Sequence, residues 1–232
     1  ALFSLIFLGD YIDRGPDTNG CIEAVLRFRR DTQARVVCLM GNHEDWLLRT
    51  MRDHSHHSWI LAMDAFVTIR SYSSEAEQVI RDAFAGAKAQ VYARGCALPY
   101  DMFLAAVPPE HVRFFRRLRP YHRTADAICA HAGLDPRITR LVEQRREALI
   151  WGRTGFPEEY AGTDPVVYGH MNNATVDADG WPHPTFVGRT IGVDTISHGV
   201  LTAVRLPDGR IFQSARHRVA RGDLTSSHRA AD

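Results

Sequence analysis

Asp10, Asp13 and Arg14 fall within five positions of one another, directly after an apolar run, Leu5-Ile6-Phe7-Leu8, that ends in Gly9. The same design recurs where Val36-Val37-Cys38-Leu39-Met40 runs into Gly41-Asn42-His43-Glu44. It recurs again at Ala127-Ile128-Cys129-Ala130-His131, with Gly133 two residues on, and at Pro165-Val166-Val167-Tyr168-Gly169-His170. Four strand tips therefore present a carboxylate, an amide and two imidazoles: Asp10, Asn42, His131 and His170. Glycine beside each tip lets the backbone turn sharply and leaves room for an ion or a phosphate. A single histidine after a strand is more often structural than a ligand. Four donors at successive strand ends of one sheet converge in the crevice where α/β folds bind ligands, and they predict a cation site with phosphate chemistry.

The elements that must position these tips follow from periodicity. Residues 2–8 and 36–40 read as buried strands, 19–30 as an amphipathic helix, and a further helix follows the Gly41-Asn42 turn to about Arg52. This alternation predicts a layered α/β sheet with crossovers. Residues 53–125 are helical in pattern, with Pro108-Pro109 preceding a helix at 110–118, and read as an inserted helical cap. Strands return at 127–131, 165–170, 190–194, 200–204 and 210–213, the last two joined by the hairpin signal Pro207-Asp208-Gly209. Residues 217–232 are polar, lack periodicity and read as a disordered tail. The run Asp53-His54-Ser55-His56-His57 reads as a solvated loop, not a second metal site.

Composition excludes several classes. With 45% hydrophobic and 24% charged residues over 232 positions, the chain reads as one large globular domain. A net charge of +1 offers no field for nucleic acid or anionic membrane, and no apolar run approaches the roughly 18 residues of a span. Cys21, Cys38, Cys96 and Cys129 have no paired spacing and predict free thiols in a reducing cytoplasm. The apolar opening reads as a buried strand and not a signal peptide. The chain does not open on Met, which reads as a fragment.

The ordered set GDYIDRG, GNHE, HAGL and YGH resembles the metallophosphoesterases, and among them the bacterial branch of the PPP-type serine/threonine protein phosphatases. The resemblance spans about residues 5–205, including the Trp59–Ser71 segment, Trp151-Gly152-Arg153 and Ile191-Gly192-Val193-Asp194-Thr195. It implies a calcineurin-like α/β fold, a central β-sandwich flanked by helices with the helical cap inserted, over residues 1–216. It also implies two divalent metal ions: Asp10 bridges them, and Asn42, His131 and His170 complete the second ion's shell. His43 becomes the general acid oriented by Asp13, and Arg14 and Arg153 clamp phosphoryl oxygens, with Arg189 a competitor to Arg153. The family's earlier Gly-Asp-x-His-Gly block has no counterpart in this sequence. The resemblance therefore predicts an N-terminally truncated domain with an incomplete first-ion site and little activity of its own.

Elementary chemistry agrees with these roles. Two divalent ions can share and activate a hydroxide aimed in line at phosphorus. Mixed oxygen and nitrogen donors suit manganese, iron or zinc better than magnesium or calcium alone. An imidazolium beside an aspartate can protonate a leaving alkoxide, and arginine forks match phosphate oxygens. Asp13 is equally placed for a turn or helix cap, and Glu44 reads as support for its helix start. Three functions follow: hydrolysis of phosphoprotein or small phosphate monoesters, symmetrical cleavage of dinucleoside tetraphosphates, or phosphate binding by a single-metal fragment without turnover.

Overall fold

The computed structural model describes residues 3–92, 95–172 and 174–217. All of the 217–232 tail except His217 lies outside the described residues. In chain order the elements are β1 (Ser4–Phe7), α1 (Thr18–Asp31), β2 (Arg35–Cys38), α2 (Asn42–Arg52), α3 (Ser58–Ala62), α4 (Ala65–Tyr72), α5 (Ser74–Ala87), α6 (Asp101–Ala106) and α7 (Pro109–Arg116). There follow β3 (Tyr121–Arg123), β4 (Ile128–Ala130), α8 (Arg146–Trp151), β5 (Val166–Tyr168), β6 (Thr175–Val176), β7 (Pro182–His183), β8 (Thr185–Val187), β9 (Thr190–Gly192), β10 (Thr202–Arg205) and β11 (Arg210–Gln213). The chain forms two compact units: residues 1–5, 10–36 and 42–118, and residues 6–9, 37–41 and 119–232.

The first unit is helical. Thr18, Ile22, Val25 and Leu26 mark the buried face of α1 at helical spacing. Its N-cap is Asp17, whose carboxylate accepts from Gly20 N; the cap role considered for Asp13 is therefore filled by another residue. Trp59, Ile69, Ile80, Phe103 and Phe115 are fully or almost fully buried among these helices. His111, itself fully buried, ties three of them together: Nδ1 meets the Tyr72 hydroxyl at 2.8 Å and Nε2 meets the Glu23 carboxylate at 2.9 Å.

The second unit is built on a five-stranded mixed sheet in the order β3-β4-β5-β9-β8. Its three central strands run parallel, and β3 and β8 close the edges antiparallel. β4 and β5 are buried along their whole length, so they read as short apolar runs without alternation. Val37 and Leu39 pack with Ala127, Cys129, Val167 and Ile191, and Ile6, Leu8, Val193, Val204 and Leu206 lie against that cluster. Strands β2, β4, β5, β9 and β10 all contribute side chains to this one apolar core. β10 and β11 pair as the expected hairpin, Arg205 opposite Arg210.

Two expectations need correction. Residues 121–123 form an edge strand, so the helical region stops short of 125. His57 is buried, not solvated, because its ring nitrogen Nε2 donates to the Cys96 carbonyl 39 residues later. No metal-capable grouping of His, Cys, Asp and Glu forms around residues 53–57 among the described residues.

Candidate metallophosphoesterase site

In the first unit, α2 begins at Asn42, and its opening residues Asn42, His43, Glu44 and Asp45 are all buried. Four consecutive buried polar groups are costly unless each is satisfied, and the partners show what the cost secures. Both oxygens of Glu44 face the turn after Gly9: Oε2 accepts from Asp10 N at 3.0 Å, and Oε1 accepts from Tyr11 N at 2.7 Å and Ile12 N at 3.3 Å. A carboxylate collecting backbone N–H groups makes strong, charge-assisted bonds. Glu44 thus fixes the turn that carries Asp10, Asp13 and Arg14, a tertiary role beyond support of its own helix.

That turn is bent. Asp10, Asp13 and Arg14 take φ of 58°, 67° and 55°, in the left-handed region that costs side-chain-bearing residues energy. Asp13 is buried, and its carboxylate takes three side-chain donors. His43 Nδ1 donates to Oδ2 at 2.7 Å, Trp59 Nε1 donates to Oδ2 at 2.9 Å, and Thr68 Oγ1 donates to Oδ1 at 2.6 Å. The carboxylate can only accept, so the proton on His43 sits at Nδ1 in the neutral ring. Nε2 is then the atom that gains and releases a proton, and it lies 3.9 Å from Asp10 Oδ2. Burial is the largest influence on His43 and pulls its pKa down. The charge of Asp10 and the bond and charge of Asp13 together outweigh it, against opposition from Arg14, and hold the imidazolium above its ordinary range. Asn42 donates its Nδ2 hydrogen toward Met63 Sδ at 4.0 Å. Arg14 is exposed.

In the second unit, His131 Nδ1 lies 2.8 Å from the Leu8 carbonyl. A carbonyl only accepts, so Nδ1 carries the hydrogen and Nε2 carries the lone pair, the arrangement by which an outer carbonyl sets the tautomer of a metal-binding histidine. Nε2 meets His170 Nδ1 at 3.1 Å. His170 is held at a φ of 66°, and the edge of Trp151 stands beside it, ring centroids 6.3 Å apart. Gly9 closes this corner. A β-carbon on it would lie 2.7 Å from Gly41 N and 2.8 Å from His131 Nδ1, at a φ of 110°, so only glycine allows the approach. Asp10 and Asn42 are the residues that follow Gly9 and Gly41 in the chain.

Residues 4–174 match the family model of the calcineurin-like phosphoesterases. The chain belongs to that family. It is a hydrolase acting on phosphoric esters, from a family that works with a pair of metal ions. None of the curated proteins compared with the chain matches it significantly. The residues present fit a divalent cation on their own chemistry: a locked Nε2 lone pair, a second imidazole at contact, and a backbone cradle that a β-carbon would fill. No described helix is long and apolar enough to cross a membrane.

Arg153 follows α8, and its Nε donates to Asp135 Oδ2 at 3.3 Å. Sequence reasoning missed Asp135, Thr68, and the long-range bonds of Glu44. The signal available was a run of polar residues directly after apolar strands, where burial demands partners.

Proposed function

We propose that the chain is a metal-dependent phosphomonoesterase of the PPP type, acting on phosphoserine or phosphothreonine in proteins. The observation that carries this reading is the His131–His170 pair, with Nδ1 of His131 tied to the Leu8 carbonyl and its Nε2 directed at His170. By the family resemblance of their motifs, Asp10, Asn42, His131 and His170 would hold the ion, Asp10 and Asn42 standing one residue past Gly9 and Gly41 in the sequence. Their oxygen and nitrogen donors favour manganese, iron or zinc. Bound divalent ions would supply Lewis acidity and an acidified water at phosphorus.

The protein's own groups account for the rest. His43, oriented through Nδ1 by Asp13, presents Nε2 to the leaving oxygen and delivers its proton there. Trp59 and Thr68 keep Asp13 from rotating away. Arg14 and Arg153 bind the non-bridging phosphoryl oxygens and hold the charge that builds on them. Near-neutral charge and four free cysteines favour a cytoplasmic protein substrate over nucleic acid or membrane. Turnover of a phosphothreonine peptide compared with that of diadenosine tetraphosphate, each with manganese, tests the assignment. Preference for the peptide supports it, and preference for the dinucleotide replaces it with the tetraphosphate hydrolase.

A further inference from the structure

Beyond the metal-binding histidines, the second unit contains one carboxylate shared by two arginines. Asp135 is buried, at 6% exposure, four residues after His131. Arg137 binds it side-on with two bonds, Nε to Oδ1 and Nη2 to Oδ2, both 3.1 Å. Arg153 reaches Oδ2 with Nε alone, at 3.3 Å. Among the described residues, Nη1 and Nη2 of Arg153 have no protein acceptor, and its side chain is 47% exposed. Two guanidinium charges on one carboxylate leave the trio with a net positive charge. Arg137, Arg153, Thr154 and Glu159 line an open pocket of about 330 Å³.

The backbone under this trio is fixed as well. Gln144 acts as a peptide mimic: its Oε1 accepts from Asp135 N at 2.8 Å, and its Nε2 donates to the carbonyls of Asp135 at 3.0 Å and Ile138 at 2.8 Å. Ala132 N donates to Leu149 O at 2.8 Å, which ties the strand tip to α8. Gly152 then packs against the Ala132 carbonyl and the Met171 sulfur, so Arg153 starts beside the neighbours of both His131 and His170. Glu159 folds back on Gly155 within the same loop, and its charge acts on Arg137.

We propose that Asp135 is the positioning residue for Arg153: it holds Nε and thereby presents the two Nη groups as a fork for a phosphoryl group at the histidine pair. Arg137 neutralises Asp135, so the carboxylate orients Arg153 without cancelling its charge. Arginine loses much of its phosphate affinity when its plane is not pre-set, because a long flexible side chain must be ordered on binding. The inference rests on the phosphoester reading of the site.

Two accounts of Asp135 predict opposite signs. If it only adds negative charge near the pocket, its removal tightens anion binding. If it positions Arg153, its removal weakens anion binding. The test is calorimetric titration of inorganic phosphate into the full chain after metal removal, for wild type, Asp135→Asn, Arg153→Lys and the double variant. The expected result is a loss on the order of 10-fold for each single variant, the size of one charge-assisted bond, with no further loss in the double variant. Unchanged or tighter phosphate binding by Asp135→Asn overturns the proposal, as does wild-type protein that binds no phosphate. Should Asp135→Asn fail to fold, Asp135→Glu takes its place: it keeps the charge but displaces it by a methylene, so weaker binding is expected and unchanged binding overturns. Hydrolysis of p-nitrophenyl phosphate by the manganese-loaded wild type is measured alongside. Its absence, with the phosphate pattern intact, leaves the positioning role, since little turnover is expected without the Gly-Asp-x-His-Gly block. Its presence, with Asp135→Asn binding phosphate normally, removes the positioning role alone.

Discussion

Replacing Glu44 by glutamine changes almost no volume and removes the charge that organises the turn after Gly9. Glutamine offers one carbonyl oxygen where the carboxylate used two for three backbone N–H groups, at 3.0, 2.7 and 3.3 Å. Its amide nitrogen must then face a backbone donor. One buried N–H goes unsatisfied, at about 1–3 kcal/mol, and the surviving bonds fall from charge-assisted to neutral strength, at about 0.5–1.5 kcal/mol each. The sum centres near 3 kcal/mol, a large part of the roughly 5–15 kcal/mol that holds a domain together. With a urea slope of about 3 kcal/mol/M, the unfolding midpoint should drop by about 1 M. Urea titration followed by tryptophan fluorescence reads this directly. Glu143→Gln is the control, since Glu143 pairs with Arg140 at the exposed surface and should move stability by no more than about 0.5 kcal/mol. A Glu44→Gln protein as stable as that control would show that the carboxylate does not hold the turn.

Two further outcomes follow from the same geometry. In a chain that also carries the family's Gly-Asp-x-His-Gly block, His43→Asn should lower kcat by about 10²–10⁴-fold with manganese content unchanged by metal analysis; loss of metal would make His43 a ligand instead of the acid. Asp135 gives an acid limb to stability. The side-chain bonds of Arg137, then its backbone N–H, with Arg153 adding to them, hold its carboxyl at about 2 against an ordinary 3.8. A depressed folded-state pKa means that the unfolded chain takes up the proton first, so the contribution is complete above 3.8 and is lost as pH falls toward 2. Acid unfolding curves of wild type and Asp135→Asn should therefore converge across that window. Curves that stay parallel through it would separate the carboxylate from folding.

The strand tips were legible because burial on both faces strips alternation from a strand, and the polar residue ending such a run stands out. Ile128–Ala130 and Val166–Tyr168 are of this kind. Edge strands gave no such signal: Tyr121–Arg123 carries polar, partly exposed residues and is a strand only because β4 pairs with it. Asp10, Asn42, His131 and His170 could be named from local pattern, and His43 from the family resemblance. Their orienting partners could not. Glu44 bonds residues 32 to 34 positions away, Thr68 meets Asp13 across 55, and His57 finds the Cys96 carbonyl across 39. Those pairings exist only once the helices have packed, and no spacing in the sequence encodes them. Asp13 shows the difference at one residue: its position suited a cap equally well, and the fold gave the cap to Asp17 and Asp13 to His43.

The central claim is that His131 and His170 hold a divalent ion. Calorimetric titration of manganese into metal-stripped wild type, His131→Ala and His170→Ala tests it most directly. The wild type should bind manganese, and each alanine variant should bind it at least about 10-fold more weakly while keeping a cooperative unfolding transition. A folded variant of either kind that takes up manganese as tightly as the wild type would contradict the account.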